Sequence, residues 1–91
     1  MLKTIKITIK GKVQGVSFRQ FVKDSADKLG ITGTAENLYN NSVEVFATEE
    51  EDDLNEFIKK LRIGPPAAEV ESIEKKVLGG VLKFQGFKVK R

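Results

Sequence analysis

The 91-residue chain contains neither cysteine nor histidine. Without cysteine it has no disulfides, thiolate nucleophiles or sulfur ligands for metals, and without histidine it has no imidazole base or ligand. No apolar run approaches the roughly 20 residues that a membrane-spanning helix needs. Chemistry carried out by this chain must therefore use arginine, lysine, carboxylates, amides, hydroxyls and the backbone.

The charges are nearly balanced, with 16 lysines and arginines against 13 aspartates and glutamates and a net charge of +3. The basic residues are spread along the chain, which argues only weakly for a nucleic-acid-binding face. Length and composition are those of a soluble globular protein, and we predict a single domain over residues 1–91. The first ten residues alternate lysine with isoleucine and do not form the apolar block of a secretory signal, so we expect a cytoplasmic protein, by default a monomer.

Two kinds of pattern predict the secondary structure. Strict alternation over residues 3–10 is typical of a strand with one buried face, and apolar residues at helical intervals from Phe18 to Leu29 predict a helix that ends at Gly30. The pair Asn40-Asn41 tolerates positive φ angles and predicts a hairpin turn. The remaining predicted elements are strands over residues 31–38, 42–48, 70–77 and 82–89 and a second helix whose apolar stripe runs from Leu54 to Leu61.

The sequence also predicts how the second helix begins and where the last strand is interrupted. Thr48 and Glu51 have capping-box spacing, and the acidic run over residues 49–53 is predicted to lie in the first helical turn. A hard-cation site at this run is the less favoured alternative. Gly86 interrupts the apolar phase of the last strand, which predicts a bulge. Five phenylalanines are predicted to lie in the core: Phe18, Phe21, Phe57, Phe84 and Phe87.

The element order β-α-β-β-α-β, followed by a short C-terminal strand, predicts an α+β fold. It matches the ferredoxin-like two-layer sandwich, with an antiparallel sheet and two helices on one face. The first two strands are joined by a helix and should run parallel, so the turn after the first strand and the end of the second share one edge of the sheet. We therefore expect residues 12–19 and 36–38 to face each other.

The segment KVQGVSFRQF, residues 12–21, joins a glycine-containing turn to the start of the first helix. Consecutive amides that run into a helix N-terminus form an anion site, and Gly15 permits the backbone angles that such a turn requires. Arg19 can offer a planar fork of donors to two phosphate oxygens. Ser17 is disfavoured as a nucleophile because no base is available to activate it. The predicted phosphate-binding residues are Gln14, Gly15, Val16, Ser17, Phe18 and Arg19.

Residues 11–19 closely resemble the first signature of the acylphosphatase family: a glycine, a variable position, Val-Gln-Gly-Val, a second variable position and Phe-Arg. Residues 33–37, with the following Ser42-Val43, are similar to its second signature, and the resemblance extends over essentially the whole chain. It implies hydrolysis of the carboxyl-phosphate bond of small acyl phosphates. It also implies two catalytic residues, Arg19 as the phosphate anchor and Asn37 as the residue that positions the attacking water, with no metal or cofactor.

The implied reaction suits the composition. An acyl phosphate expels a carboxylate, a stable leaving group that needs no general acid. The resemblance further implies that the attacking water gives its proton to the phosphoryl group itself. The chain departs from the family pattern at Thr34, Ala35 and Asn40-Asn41, where an aromatic residue, a valine and a glycine-containing turn are usual. The smaller side chains on the strand are expected to hold Asn37 less firmly.

Two other functions fit parts of the pattern. A regulatory module that binds phosphate or acyl phosphates with little turnover would keep the Arg19 site, and the presence of Asn37 favours the enzyme over it. An RNA-binding module would share the two-layer architecture, but such domains carry stacking aromatics in a Lys/Arg-Gly-Phe/Tyr pattern. The segment SVEVFATEE has one phenylalanine and no such pattern, so RNA is not an expected partner.

Overall fold

The computed structural model describes residues 1–15 and 17–90. The predicted order of elements is confirmed. The strands form one sheet in the spatial order β4-β1-β3-β2-β5. The elements are β1 (Leu2–Lys12), α1 (Phe18–Leu29), β2 (Thr32–Asn37), β3 (Val43–Glu50), α2 (Glu51–Ile63), β4 (Glu69–Val77) and β5 (Phe87–Val89).

Three of the four strand pairs are antiparallel, as predicted: β1 with β4, β1 with β3, and β2 with β3. The fourth pair, between β2 and β5, is parallel, so the sheet as a whole is mixed. Both β1 and β2 run antiparallel to β3, which lies between them. They therefore run parallel to each other, and their C-terminal ends lie at the same edge of the sheet, the edge formed by strand ends and not by an outer strand.

The core lies between one face of the sheet and the two helices. Strand alternation places Ile5, Ile7 and Ile9 on the face toward the helices, opposite Ala47, Val45 and Val43 of β3. The helices contact each other and cover this face. None of the helices in the described part of the chain is both long and apolar enough to cross a membrane. The helical side chains buried against the sheet are Phe18, Val22, Ala26, Leu54, Phe57 and Leu61.

The last strand is shorter than predicted, because residues 82–86 are not part of the sheet. β4 and β5 lie at opposite edges, so the chain between them must cross the sheet and cannot pair along it. Gly86 has φ +72° and its carbonyl accepts a hydrogen bond from the Gly33 amide at 3.0 Å. It therefore forms a turn into β5, and the predicted bulge is wrong.

Of the five phenylalanines predicted to lie in the core, those on helices and strands lie in or against it, whereas the one between β4 and β5 does not. Phe18, Phe57 and Phe87 are buried, and Phe21 packs against the core from a half-buried position. Phe84 is half-exposed and lies outside the core cluster, so the prediction is wrong for this residue. Its segment crosses the face of the sheet that no helix covers.

The crossing segment, residues 78–86 between β4 and β5, is held by two buried threonines. The Oγ1 atoms of Thr4 and Thr48 lie 2.6 Å apart, Thr48 donates to the Leu82 carbonyl at 2.9 Å, and the Leu82 amide donates to Thr4 at 2.8 Å. Since Thr48 gives its proton to Leu82, the Thr4 hydroxyl must donate to Thr48, and the three groups form a closed ring. Two distant strands and the crossing segment are thereby joined.

The predicted capping box is wrong, because the Thr48 hydroxyl is used in this ring. Thr48 is a strand residue, and α2 begins at Glu51 with Glu50 as its N-cap and no side-chain capping bond. Three of the five acidic residues lie in the first turn of α2, whereas Glu49 and Glu50 belong to β3.

The pKa of Glu51 is lowered by a hydrogen bond from Lys3 and by the positive charge of Lys3. This ion pair therefore stabilises the fold at neutral pH and is lost as the pH falls through the lowered pKa.

Replacing Thr48 with valine is expected to lower the free energy of unfolding by about 1–3 kcal/mol, because the Thr4 hydroxyl and the Leu82 carbonyl each lose a partner. Urea unfolding measures this change. Thr8→Val is the control. Thr8 lies on the same face of β1 as Thr4 and makes no side-chain hydrogen bond to the described residues. Equal effects of the two substitutions would contradict the role of the threonine ring.

Candidate active site

The candidate site lies at the sheet edge where β1 and β2 end. Ile9 of β1 pairs with Val43 of β3, and Val43 pairs with Asn37, the last residue of β2, so the three form one row across the sheet. The loop after β1 returns over this edge, and the Gln14 side-chain amide donates to the Leu38 carbonyl at 2.9 Å. The predicted juxtaposition of residues 12–19 and 36–38 is confirmed.

The loop reaches α1 through left-handed backbone. Gly15 has φ +74° and Ser17 has φ +58°, so the unusual backbone angles expected at Gly15 are confirmed, while no feature of the sequence predicted a positive φ at Ser17. Val16, which the sequence also assigns to the phosphate loop, lies outside the described residues. Phe18 is 1% exposed. Its ring anchors the loop in the core, and only its backbone can face a ligand.

The start of α1 supplies donors. Its first hydrogen bond runs from the Phe21 amide to the Ser17 carbonyl at 3.0 Å. The amides of residues 18–20 precede this bond and therefore have no partner within the helix. Amides in this position, together with the helix dipole, favour an anion.

The Arg19 guanidinium reaches from the first turn of α1 toward the end of β5, where its Nη1 donates to the Lys90 carbonyl. The Lys90 amide donates in turn to the Ala35 carbonyl at 2.8 Å, which continues the β5 pairing with β2. The guanidinium is thus oriented by the last segment of the described chain. Sequence reasoning missed Lys90, because no motif marks it and only the sheet order brings it beside Arg19.

Asn37 presents an unusual acceptor. Its side chain is half-buried, and its Oδ1 atom is buried without a hydrogen-bond donor among the described residues. Leaving a buried polar atom in this state costs about 1–3 kcal/mol. Such a group calls for an explanation, and a functional role is one of the established explanations. The oxygen is therefore available to a small donor such as water.

Two cavities meet at this edge, and both are lined by Arg19 and Asn37. One has a volume of about 330 Å³ and adjoins the phosphate loop and the start of α1. The other has a volume of about 670 Å³ and opens toward the hairpin after β2. The smaller is also lined by Val13, Gly15, Ser17, Phe18, Gln20 and Val89, and the larger by Gln14, Glu36, Leu38, Tyr39, Asn41 and Lys90.

The hairpin beside the larger cavity is stabilised from within. Asn41 has φ +66°, as predicted for an asparagine turn. The Leu38 amide donates to the Ser42 carbonyl at 2.9 Å, the Asn41 amide donates to the Leu38 carbonyl at 3.2 Å, and Asn40 Oδ1 accepts from the Ser42 amide. The turn therefore keeps a defined shape without glycine.

The unusual residues of β2 leave its backbone pairing intact. The strand pairs with β3 at every position from Thr32 to Asn37, and Ala35 is fully buried. At Gly33 a Cβ atom would lie 1.8 Å from the Phe46 carbonyl oxygen, so only glycine fits there. Backbone pairing with β3 therefore extends to Asn37, with Thr34 and Ala35 in place on the strand.

No group of three or more carboxylates is placed to hold a metal ion in the part of the chain that the structure describes. This holds for the acidic run at residues 49–53 as well, whose members are divided between β3 and α2. The two cavities share one guanidinium, that of Arg19, and one carboxamide, that of Asn37, and the amides at the start of α1 adjoin the smaller cavity. They suit an anionic ligand with charged oxygens.

Comparison with known proteins agrees with this chemistry. The model of the acylphosphatase family matches residues 5–89. An acylphosphatase from Caldivirga maquilingensis is 45% identical over 87 residues, which cover 94% of this chain and 92% of the relative. The match therefore includes both segments that form the candidate site.

Solved structures extend the comparison to the fold. The crystal structure of acylphosphatase from Bacillus subtilis matches with a TM-score of 0.94 and 31% identity, and the match covers 100% of both chains. Full-length HypF, in a phosphate- and nucleotide-bound form, matches with a TM-score of 0.91 and 28% identity over 100% of this chain and 12% of that one. The chain therefore belongs to the acylphosphatase family and is a hydrolase of acyl phosphates.

Proposed function

We propose that the loop of residues 14–19 and Arg19 hold the phosphoryl group of a small acyl phosphate while Asn37 positions the attacking water. The observation that supports this division is the meeting of the two cavities at Arg19 and Asn37. Among the residues that line the smaller cavity, Arg19 alone carries a permanent positive charge and a planar fork of donors. The buried Asn37 oxygen supplies the acceptor for water.

The phosphoryl group belongs in the smaller cavity, against the amides at the start of α1. Amides held by the fold need no reorganisation as charge develops on the phosphoryl oxygens, which is the main source of stabilisation in such reactions. The Arg19 guanidinium has five N–H donors and gives one to Lys90. The remaining donors can engage two phosphoryl oxygens.

Hydrolysis then requires one displacement at phosphorus. The water oxygen forms a bond to phosphorus as the bond between phosphorus and the acyl oxygen breaks, and the electron pair leaves with the carboxylate. One water proton stays on the new hydroxyl and the other passes to a phosphoryl oxygen, so the products are a carboxylate and inorganic phosphate. Asn37 accepts a hydrogen bond from the water and fixes its direction of attack.

The same reasoning favours a reaction without metal, since the charges that stabilise the phosphoryl group come from Arg19 and backbone amides. Hydrolysis of benzoyl phosphate should continue in the presence of a chelator, and inorganic phosphate should inhibit competitively. A loss of turnover on chelation would contradict this proposal. Phosphate binding without turnover would instead indicate a regulatory module that holds the ligand.

We also propose a single domain that acts as a monomer in the cytoplasm and has no nucleic-acid partner. The small net charge of +3, spread over the chain, supports the absence of a nucleic-acid partner. Light scattering over a range of protein concentrations tests the monomer. A gel shift with short single-stranded RNA at modest salt would overturn the last part of the proposal.

A further inference from the structure

The side chain of Gln14 connects the phosphate loop to the hairpin that follows Asn37. Its Nε2 atom donates to two carbonyl oxygens, those of Leu38 and Ser42, at 2.9 Å each. Both hydrogens of one amide are thus used on the two ends of the same turn. The Gln14 side chain is half-buried, so these bonds are partly shielded from competing water.

No other side-chain hydrogen bond joins these two segments within residues 1–15 and 17–90. The last pair between β1 and β3 is Ile9 with Val43, and beyond it β1 pairs with β4 alone. The loop after β1 therefore returns to the hairpin without backbone pairing. Gln14 sets the distance between the two segments at this point.

The hairpin does not need Gln14 for its own hydrogen bonds. The Leu38 carbonyl also accepts from the Asn41 amide at 3.2 Å, and the Ser42 carbonyl also accepts from the Leu38 amide at 2.9 Å. Removal of Gln14 leaves each carbonyl with a partner and avoids the penalty of a buried unpaired acceptor. The contribution of Gln14 to placement can therefore be separated from its contribution to stability.

We propose that Gln14 is a positioning residue that sets the water-binding side of the site against the phosphate-binding side. It acts through the hairpin, whose first residue follows Asn37 directly, and it donates to protein carbonyls with its side chain rather than to the ligand. This inference rests on the role proposed for Asn37. A displacement of about 1 Å between the two sides lowers the rate by about 100-fold.

The first test uses Gln14→Met, which keeps the length of the side chain and removes both donors. We expect kcat for benzoyl phosphate to fall by about 10- to 100-fold, with the inhibition constant of inorganic phosphate changed less than about threefold. Gln85→Met is the matched control, since Gln85 is exposed in the crossing segment. Parallel weakening of phosphate inhibition and kcat would overturn the proposal.

A second variant, Gln14→Glu, gives a pH signature that a merely structural role would not produce. At neutral pH its carboxylate faces two carbonyl oxygens and cannot donate, and contact with these oxygens favours the protonated form. At low pH the carboxylic acid donates again. The ratio of kcat between the variant and the wild type should rise as the pH falls from 7 to 4.5. A flat or falling ratio would count against positioning by donation.

Two further measurements keep the outcomes distinct. In the wild-type protein the side-chain amide hydrogens of Gln14 should exchange with solvent more slowly than those of Gln85 in NMR spectra, and equal rates would overturn the proposal even if both variants failed to fold. In an Asn37→Ala background, Gln14→Met should have little further effect on kcat. If Asn37→Ala itself leaves kcat unchanged, the proposed role of Asn37 is wrong, independently of the contacts of Gln14.

Discussion

Replacing Arg19 with alanine is expected to lower kcat/KM for benzoyl phosphate by about 10³-fold or more, and to weaken inhibition by inorganic phosphate by about 10- to 100-fold. The substitution removes the permanent positive charge at the meeting point of the two cavities. Since the guanidinium contacts the phosphoryl group in both the ground state and the transition state, binding and turnover should fall together. Steady-state kinetics with phosphate as a competitor measures both.

Two comparisons sharpen the Arg19 result. Arg19→Lys keeps the charge and loses the planar fork, so its kcat/KM should lie between those of the wild type and Arg19→Ala. Arg62→Ala removes an exposed arginine from α2 and should leave both constants unchanged. If Arg62→Ala has as large an effect as Arg19→Ala, the loss reflects net charge, and Arg19 is not the phosphate anchor.

Replacing Asn37 with alanine is expected to lower kcat by about 10³-fold while the inhibition constant of phosphate stays within about threefold of the wild-type value. The carboxamide is proposed to contact the attacking water and not the phosphoryl group, so only the step that needs oriented water is affected. Asn55→Ala, on the exposed surface of α2, is the control. Equal loss of phosphate binding in the Asn37 and Arg19 variants would contradict the division of roles.

The thermal stability of the Asn37→Ala variant gives a second test of the role of this residue. Because Oδ1 accepts no hydrogen bond from the described residues, its removal breaks no bond of that oxygen to them, and the main loss is the packing of the side chain. We expect the midpoint of thermal unfolding to stay close to the wild-type value. Loss of activity without a matching loss of stability is the expected result for a residue that acts in the reaction. A marked loss of stability would indicate that Asn37 is a structural turn residue.

Periodicity and motif spacing were enough to predict most of the fold and the location of the site. Alternating isoleucines, helical stripes and an asparagine turn each report on one element, and their order determines which strand ends share an edge. The position of Asn37 opposite the 12–19 loop follows from that order. The failures lie at Thr48 and at residues 82–86, where the local pattern favoured a cap and a strand.

Those failures have a common physical cause. Thr48 has a spacing that suits an N-cap, but its hydroxyl is used by Thr4 and Leu82, which lie 44 and 34 positions away in the chain. Residues 82–86 have strand-like composition, but the sheet order requires them to cross from one edge to the other. In both cases a partner distant in sequence outweighed a local preference.

The sequence by itself determined the chemistry that is possible here, because without cysteine and histidine it must use arginine, lysine, carboxylates, amides, hydroxyls and the backbone. It also determined the order of elements through local periodicity. Only the tertiary structure decided how those groups are held. Arg19 donates to a carbonyl 71 positions away, and Gln14 to carbonyls 24 and 28 positions away. Such contacts depend on which strands become neighbours, and that is set by the packing of the whole sheet against its helices.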